Sequence, residues 1–487
     1  MNSSTSVIAT FLIYIAVMTV IGIYSYLRTR NLSDYLLGGR KLNSFAAALS
    51  AGASDMSGWL LLGLPGLAYA EGIKAFWLVL GLSAGTYINW KFVAYRLRKF
   101  TAALGDSITL SEYFENRFDD RSRIIRTVTA LFILIFFLFY TSSGLVAGGK
   151  LFESVFGLPY IWSVLIGTLA VICYTFLGGF TAVCLTDCIQ GLLMFLALIT
   201  VPLVSVTSQG GWEASLTAVK SADPAMLDPF KFSEGGNFGV ISIISMAAWG
   251  LGYFGQPHIL ARFMAITSTG KVSKARKIAM SWVLISMLGA LIAGLSGIGG
   301  LDVTLEGADT EKVFIKLIQL LLHPVPAGIC LAAILAAIMS TADSQLLVSS
   351  SALTEDLYKP FIRKEASQKE LVWIGRSMVI VIAVIAFIIA MNPESRVLDL
   401  VAYAWAGFGA TFGPAVLLSL FWKRMTRKGA LAGIVSGGSM VVIWKQLEGG
   451  IFDLYEIVPG FLVSVAAIVI FSLTSEPPED IGDRVDF

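Results

Sequence analysis

Ala51, Gly52, Ala53, Ser54, Asp55, Met56, Ser57 and Gly58 put a carboxylate, two hydroxyls and two glycines inside residues 45–70. The rest of that stretch is apolar and long enough to cross a bilayer. A carboxylate at such depth is costly and marks a functional site. The Gly and Ser residues loosen the helix and expose backbone carbonyls and amides, which only a buried or water-lined position tolerates. A helix broken near the midplane is how secondary transporters hold ions and small solutes. The alternative is a kinked helix whose Asp55 bonds a neighbour.

A hard monovalent cation such as Na⁺ needs several oxygens. Ala53 and Met56 flank the break and offer carbonyls. Ala337, Ser340 and Thr341 are spaced i, i+3, i+4 and so share one helix face. That face adds two hydroxyls and a carbonyl, and Asp343 and Ser344 extend it inward. Ordinary hydroxyl bonding between membrane helices would give the same pattern. On the solute side stand Tyr140, Trp249, Tyr253 and Pro257; the last three are four apart, hence on one face of an α-helix. Amides at Ser57 and Gly58, at the start of a half-helix, are expected to meet a carboxylate. The pocket is therefore expected to take a small solute with an apolar body and an acid group. Interfacial Trp and Tyr anchoring is the competing explanation. Asp187, following Gly178, Gly179 and Phe180, has two readings. It pairs with Arg40 or helps the ion leave, or it is a helix N-terminal acid held by the dipole.

The elements that must position these groups follow from composition. The chain has 487 residues, 56% hydrophobic and only 14% charged, with a mean hydropathy of +0.77. An average soluble domain is about 25% charged, so this is an all-α polytopic membrane protein in a lipid bilayer. Apolar windows centre near residues 16, 58, 84, 138, 168, 194, 250, 287, 340, 382, 409, 438 and 462, about thirteen spans. The first, residues 7–26, lacks a basic start and a small-residue cleavage site, so it is expected to be retained. Residues 310–351 are too long for one span. His323, Pro324 and Pro326 divide them into a short amphipathic helix, 310–322, and a span from about Ala327. Thr109 and Glu112 have capping-box spacing, so a short inner helix through Phe118 is expected.

Lys and Arg cluster in alternate loops, with Arg96, Arg98 and Lys99 in one and Arg262, Lys271 and Lys274 in another. Asp302, Glu306 and Asp309 lie in an intervening loop. This alternation puts the N-terminus outside and the C-terminus inside. Cys173, Cys184, Cys188 and Cys330 have no metal spacing and are expected to be small core residues. His258 and His323 have no zinc partners. There is no phosphate-binding loop and no nucleophile–base pair. No enzymatic activity, organic cofactor or nucleic-acid partner is expected.

The breaks suggest internal duplication. Residues 43–206 and 239–422 each hold five spans and start from opposite sides, as an inverted repeat must. The first span of each is interrupted, at 54–58 and at 249–257. Residues 1–42 supply a first span and inner loop, 207–238 an outer loop, and 423–487 two peripheral spans with an inner C-terminus.

Gly178-Gly179-Phe180-Thr181-Ala182 resembles one signature of the sodium:solute symporter family. Residues 419–437, with Arg424, Gly429, Ala430 and Gly433, resemble the other. Residues 49–59, 249–262, 351–358 and 403–410 resemble most the bacterial members that carry proline. The resemblance implies a LeuT-like core of five-plus-five inverted spans with one span before it and two after. It implies Na⁺ near Ala53, Met56, Ala337, Ser340 and Thr341, with no organic cofactor. It implies L-proline near Asp55, Ser57, Gly58, Tyr140, Trp249, Tyr253 and Pro257. The expected activity is uptake of L-proline driven by inward Na⁺ flow across a bacterial inner membrane. Another small carboxylate-bearing solute is the alternative. A membrane-embedded proline sensor would need a signalling domain, which the few residues after the last expected span do not provide.

Overall fold

The computed structural model describes residues 3–26, 36–176, 179–231 and 239–476. Gly178 of the first signature lies outside the described residues, as do parts of the segments 1–42 and 207–238 and the end of 423–487. Among the described residues there is no sheet, only one isolated bridge between Leu42 and Ile266.

The helices follow in chain order. α1 (Ser3–Tyr26) comes first. The second span is broken: α2 (Ser44–Asp55) stops, a π turn (Trp59–Gly63) restarts the helix, and α3 (Leu64–Glu71) completes it. Gly72, at φ +69, reverses the chain, a conformation that costs glycine nothing. α4 (Phe76–Ile88) then runs through a second π turn (Asn89–Val93) into α5 (Ala94–Ala103). Next are α6 (Leu110–Arg117), α7 (Ile124–Phe156), α8 (Tyr160–Thr175), α9 (Phe180–Ser208) and α10 (Trp212–Ala222).

The seventh span is also interrupted. α11 (Val240–Ala247) passes into a 3-10 stretch (Ala248–Gly255) and then α12 (Pro257–Ala265). α13 (Val272–Gly300), α14 (Val313–Leu321) and α15 (Pro324–Ser351) follow, and α15 continues as a π-helical tail (Ala352–Ile362). α16 (Gln368–Ile389), α17 (Val397–Phe421), α18 (Arg427–Trp444) and α19 (Ile457–Leu473) close the chain.

Every expected span centre falls in one of these helices or, at 58 and 250, in an interruption. Among the described residues, eight stretches are long and apolar enough to cross a membrane by themselves. Outward rows such as Leu12, Ile13 and Val20 of α1 are exposed, as a lipid-facing surface requires. Two expectations shift in detail. α15 begins at Pro324, because a proline at the first helical turn loses no hydrogen bond. Cys173 is exposed and Cys188 half-buried, so only Cys184 and Cys330 are core residues. The short helix α6 is capped as its sequence requires. Thr109 Oγ1 accepts from Glu112 N–H at 3.0 Å, and Glu112 Oε2 accepts from Ile108 N–H at 2.7 Å. Burial raises the Glu112 carboxyl above its usual range, and the Ile108 amide opposes the rise.

The two interruptions lie at the centre of the bundle. α2 packs against α9, α13 and α15, while the 3-10 stretch packs against α4 and α17. A Cβ on Gly85 of α4 would collide with the backbone of Gly250. That close approach of two backbones needs glycine at both positions.

Candidate functional site

Asn43 starts α2, its side chain accepting from Ala46 N–H at 2.9 Å. The helix ends where Met56 donates its N–H to Gly52 O at 2.8 Å and turns to ψ 77. Beyond it, Ser57 N–H donates to Asp55 O at 3.0 Å, and Ser57 Oγ accepts from Trp59 N–H at 3.3 Å. Trp59 Nε1–H and Tyr140 O–H both donate to the same Asp55 carbonyl, each at 3.1 Å. The break is thus stapled by an indole and a phenol. The Ser57 amide, expected to face an anion, is taken by that carbonyl. Gly58 lies against α7 and α15, where a Cβ would stand 2.7 Å from Ala147 and 3.2 Å from Ile338.

One face of α15 meets this break. Ser340 Oγ lies 2.7 Å from Ala53 O and 3.1 Å from Ala337 O, and Thr341 Oγ1 lies 3.4 Å from Ala53 O. Two carbonyls and two hydroxyls therefore converge, all buried. They are hard, neutral oxygens, the donor set that suits Na⁺. Ser344 Oγ bonds Ser340 O at 2.8 Å and lies 3.3 Å from Asp343 Oδ1, so the polar row continues along α15.

On the other side of the break, Asp55 is 2% exposed. Its Oδ2 accepts from Tyr253 O–H at 2.7 Å, and its Oδ1 has no hydrogen-bond partner among the described residues. Asp55 and Tyr253 line a small cavity with Gly52, Thr86, Asn89 and Trp90. Asn89 Nδ2–H donates to Tyr253 O at 2.9 Å while its Oδ1 is also unpartnered. Trp249 and Tyr253 both touch Trp405, at centroid distances of 6.4 and 5.0 Å, and Trp405 Nε1–H donates to Trp249 O at 2.7 Å. The pattern expectation fails in one respect. Trp249 and Tyr253 lie in a 3-10 stretch with about three residues per turn, so a spacing of four does not keep one face. Pro257 lines a different cavity, with Thr109, Ser351 and Asp356.

Asp187 neither pairs with Arg40 nor stands at a helix end. It lies more than two turns into α9, beyond the reach of a helix-terminal dipole. Nor does it meet Arg40, which pairs with Asp106 at 2.8 Å and donates to Met264 O and Ser107 O, each at 2.8 Å. Burial draws the Arg40 guanidinium below its usual value, and Asp106 pushes it back. The partner of Asp187 is Arg262 of α12, at 3.2 Å, both side chains fully buried. Ser50 Oγ donates to Asp187 Oδ2 at 2.6 Å and accepts from Arg262 Nε–H at 3.0 Å. Arg262 also donates to Ser344 Oγ at 2.6 Å and to His258 O at 2.9 Å. One buried arginine therefore ties α2, α9, α12 and α15 together beside the row that carries Ser340.

Ser50, Asn89, Arg262 and Trp405 were missed by motif reasoning. Arg262 counted there as an inner-loop charge. The available signals were Asn89 within an apolar span and the fixed start of α12 at Pro257.

The pattern of the sodium:solute symporter family matches residues 35–437. The chain is 52% identical over 483 residues to the sodium/proline symporter of Escherichia coli (strain K12), covering 98% of this chain and 95% of the relative. It is 49% identical over 490 residues to the osmoregulated proline transporter of Bacillus subtilis (strain 168), covering 99% and 97%. Among solved structures, a substrate-bound, outward-open Na⁺-coupled sialic acid symporter superposes with a TM-score of 0.81 at 20% identity, covering 98% of this chain and 99% of that one. MhsT bound to L-phenylalanine superposes with a TM-score of 0.52 at 14% identity, covering 88% and 97%.

Proposed function

The chain belongs to the sodium:solute symporter family, and from that premise we propose that it is a secondary transporter coupling inward Na⁺ flow to uptake of L-proline by alternating access. It has the LeuT-like fold, and it is a multi-pass membrane transporter rather than an enzyme. The observation that carries the mechanism is the shared break. Ala53, two residues before Asp55, faces the α15 hydroxyls, while Asp55 and its carbonyl face Tyr253, Trp59 and Tyr140. Ion and solute groups thus sit two residues apart on opposite sides of one segment.

Na⁺ would take the Ala53 and Ala337 carbonyls and the Ser340 and Thr341 hydroxyls, with Met56 at the edge. On binding, the hydroxyls stop donating to Ala53 O and turn their lone pairs to the ion, so the ion replaces a direct α2–α15 bond. Asp55 Oδ1 is the acceptor for the secondary ammonium of proline. Gly58, where the helix restarts, offers an amide to the carboxylate. Tyr140, Trp249 and Tyr253 wall the ring, Ser57 holds the turn, and Pro257 stands further inward on the exit side. Arg40 and the Arg262–Asp187 pair close the inner side. The repeats are taken as 43–206 and 239–422, in a bacterial inner membrane, N-terminus outside and C-terminus inside.

Uptake of a panel of labelled amino acids into proteoliposomes, with and without an inward Na⁺ gradient, tests this. L-proline accumulation only with the gradient is expected, with glycine, acidic amino acids and sugars as poor competitors. Preference for another small amino acid would move the substrate assignment, and gradient-independent entry would end the symport reading.

A further inference from the structure

The indole of Trp249 has aromatic neighbours on three sides. Trp405 lies at 6.4 Å and 27°, Trp59 at 6.4 Å and 46°, and Tyr455 at 5.4 Å and 25°. The third neighbour comes from outside both repeats, in the connection between α18 and α19. Tyr455 is fixed at both ends. Its N–H donates to Ser245 Oγ at 2.9 Å, and its O–H donates to Ala402 O at 2.7 Å. It therefore bridges α11, which leads into the 3-10 stretch carrying Trp249, and α17, which carries Trp405. The connection itself has little freedom, because Ile457, two residues on, packs against Gly409 of α17, where a Cβ would stand 2.7 Å away.

We propose that Tyr455 is a positioning residue of the solute pocket, holding the Trp249 indole in place as its outer wall. The inference rests on the reading of Trp249 as part of that pocket. An indole in a 3-10 stretch rich in glycine has weak backbone control over its direction, so stacking decides where the ring points. Of its stacking partners, Tyr455 is the nearest and the most parallel. Its anchors on two different spans let it follow their relative position. The peripheral helices α18 and α19 thereby contribute to solute affinity as well as to packing.

The test compares purified, reconstituted wild type with Tyr455→Phe, Tyr455→Leu, Trp249→Ala and the double variant Trp249→Ala/Tyr455→Leu. Phe keeps the stack and loses the bond to Ala402. Leu fills much of the space without an aromatic face. An aromatic pair of this geometry corresponds to about a two- to tenfold effect on affinity. Tyr455→Leu is expected to raise the proline KM by about that factor, with the maximal rate and half-saturating Na⁺ unchanged. Tyr455→Phe, which keeps the ring and loses the anchor on α17, should give a KM between those of wild type and Tyr455→Leu. The double variant should be no worse than Trp249→Ala, since Tyr455 acts through that ring. A raised KM in Trp249→Ala with wild-type KM in Tyr455→Leu overturns the proposal and leaves the pocket intact. Additive effects in the double variant also overturn it. Unchanged KM in both single variants removes the pocket reading itself.

Discussion

The Arg262–Asp187 pair lends itself to a quantitative test, because a native thiol reports on it. Both side chains are fully buried at 3.2 Å, and Cys184 Sγ lies 3.3 Å from Ser50 Oγ, which touches both. Removing one member of a buried pair strands the other charge, at a cost of about 3–5 kcal/mol. In an arrangement that parts α9 from α12, water reaches the stranded charge and most of that cost is relieved. The closed arrangement is then disfavoured by about 3 kcal/mol, near a hundredfold in population. Asp187→Asn and Arg262→Met are each expected to speed alkylation of Cys184 by membrane-permeant N-ethylmaleimide by tens-fold or more. Mass spectrometry reads the product, with Cys330 as internal reference. Electrostatics at the thiolate alone would move the two variants in opposite directions, since one removes a negative and the other a positive neighbour. Opening moves both upward. The double variant, which strands no charge, should fall back toward wild type. Opposite changes, or no change in either single variant, would refute the idea that this pair holds α9 and α12 together.

Three other outcomes are expected. Ser340→Ala combined with Thr341→Ala removes two of four converging oxygens, so half-saturating Na⁺ in uptake assays should rise at least about tenfold; an unchanged Na⁺ dependence would remove the ion site. Glu306→Cys should react with an impermeant maleimide on intact cells and Lys364→Cys only after permeabilisation, and the reverse pattern would invert the topology. Gly252→Ala drives a Cβ into the Trp405 indole, so the amount of protein in the membrane, read by immunoblot, should drop sharply. Gly270→Ala, with nothing within 4 Å, should leave that amount unchanged.

What the sequence made legible depends on whether local rules governed the segment. The break at 54–58 was readable because an acid, two serines and a glycine interrupt an apolar run, and nothing distant is needed to see it. The hydroxyl face of α15 was readable because that helix is regular, so spacings of three and four keep their meaning. The seventh span defeats the same arithmetic. There the backbone takes up a 3-10 path against Gly81 and Gly85 of α4, a contact more than 160 residues away in the chain. With three residues per turn the supposed face splits, and Pro257 moves to the neighbouring cavity.

The case of Arg262 shows a different limit. Its charge sits at the inner end of a predicted span, where Lys and Arg normally mark a cytoplasmic loop. Pro257 fixes the start of α12, and the helix runs nine residues to Ala265. Arg262 is thus still helical, and helical side chains lean back toward the N-terminus, here into the protein. A guanidinium so directed must find a carboxylate, or its burial could not be sustained. Asp187 is the acid within its reach on α9. The same logic removes the Arg40 pairing and the helix-end reading of Asp187, since an acid already matched by a buried arginine needs neither. It also places the pair's strength where alternating access needs it. The two charges are on different helices, one on α9 and one on α12, so the bond exists only while those helices are held together.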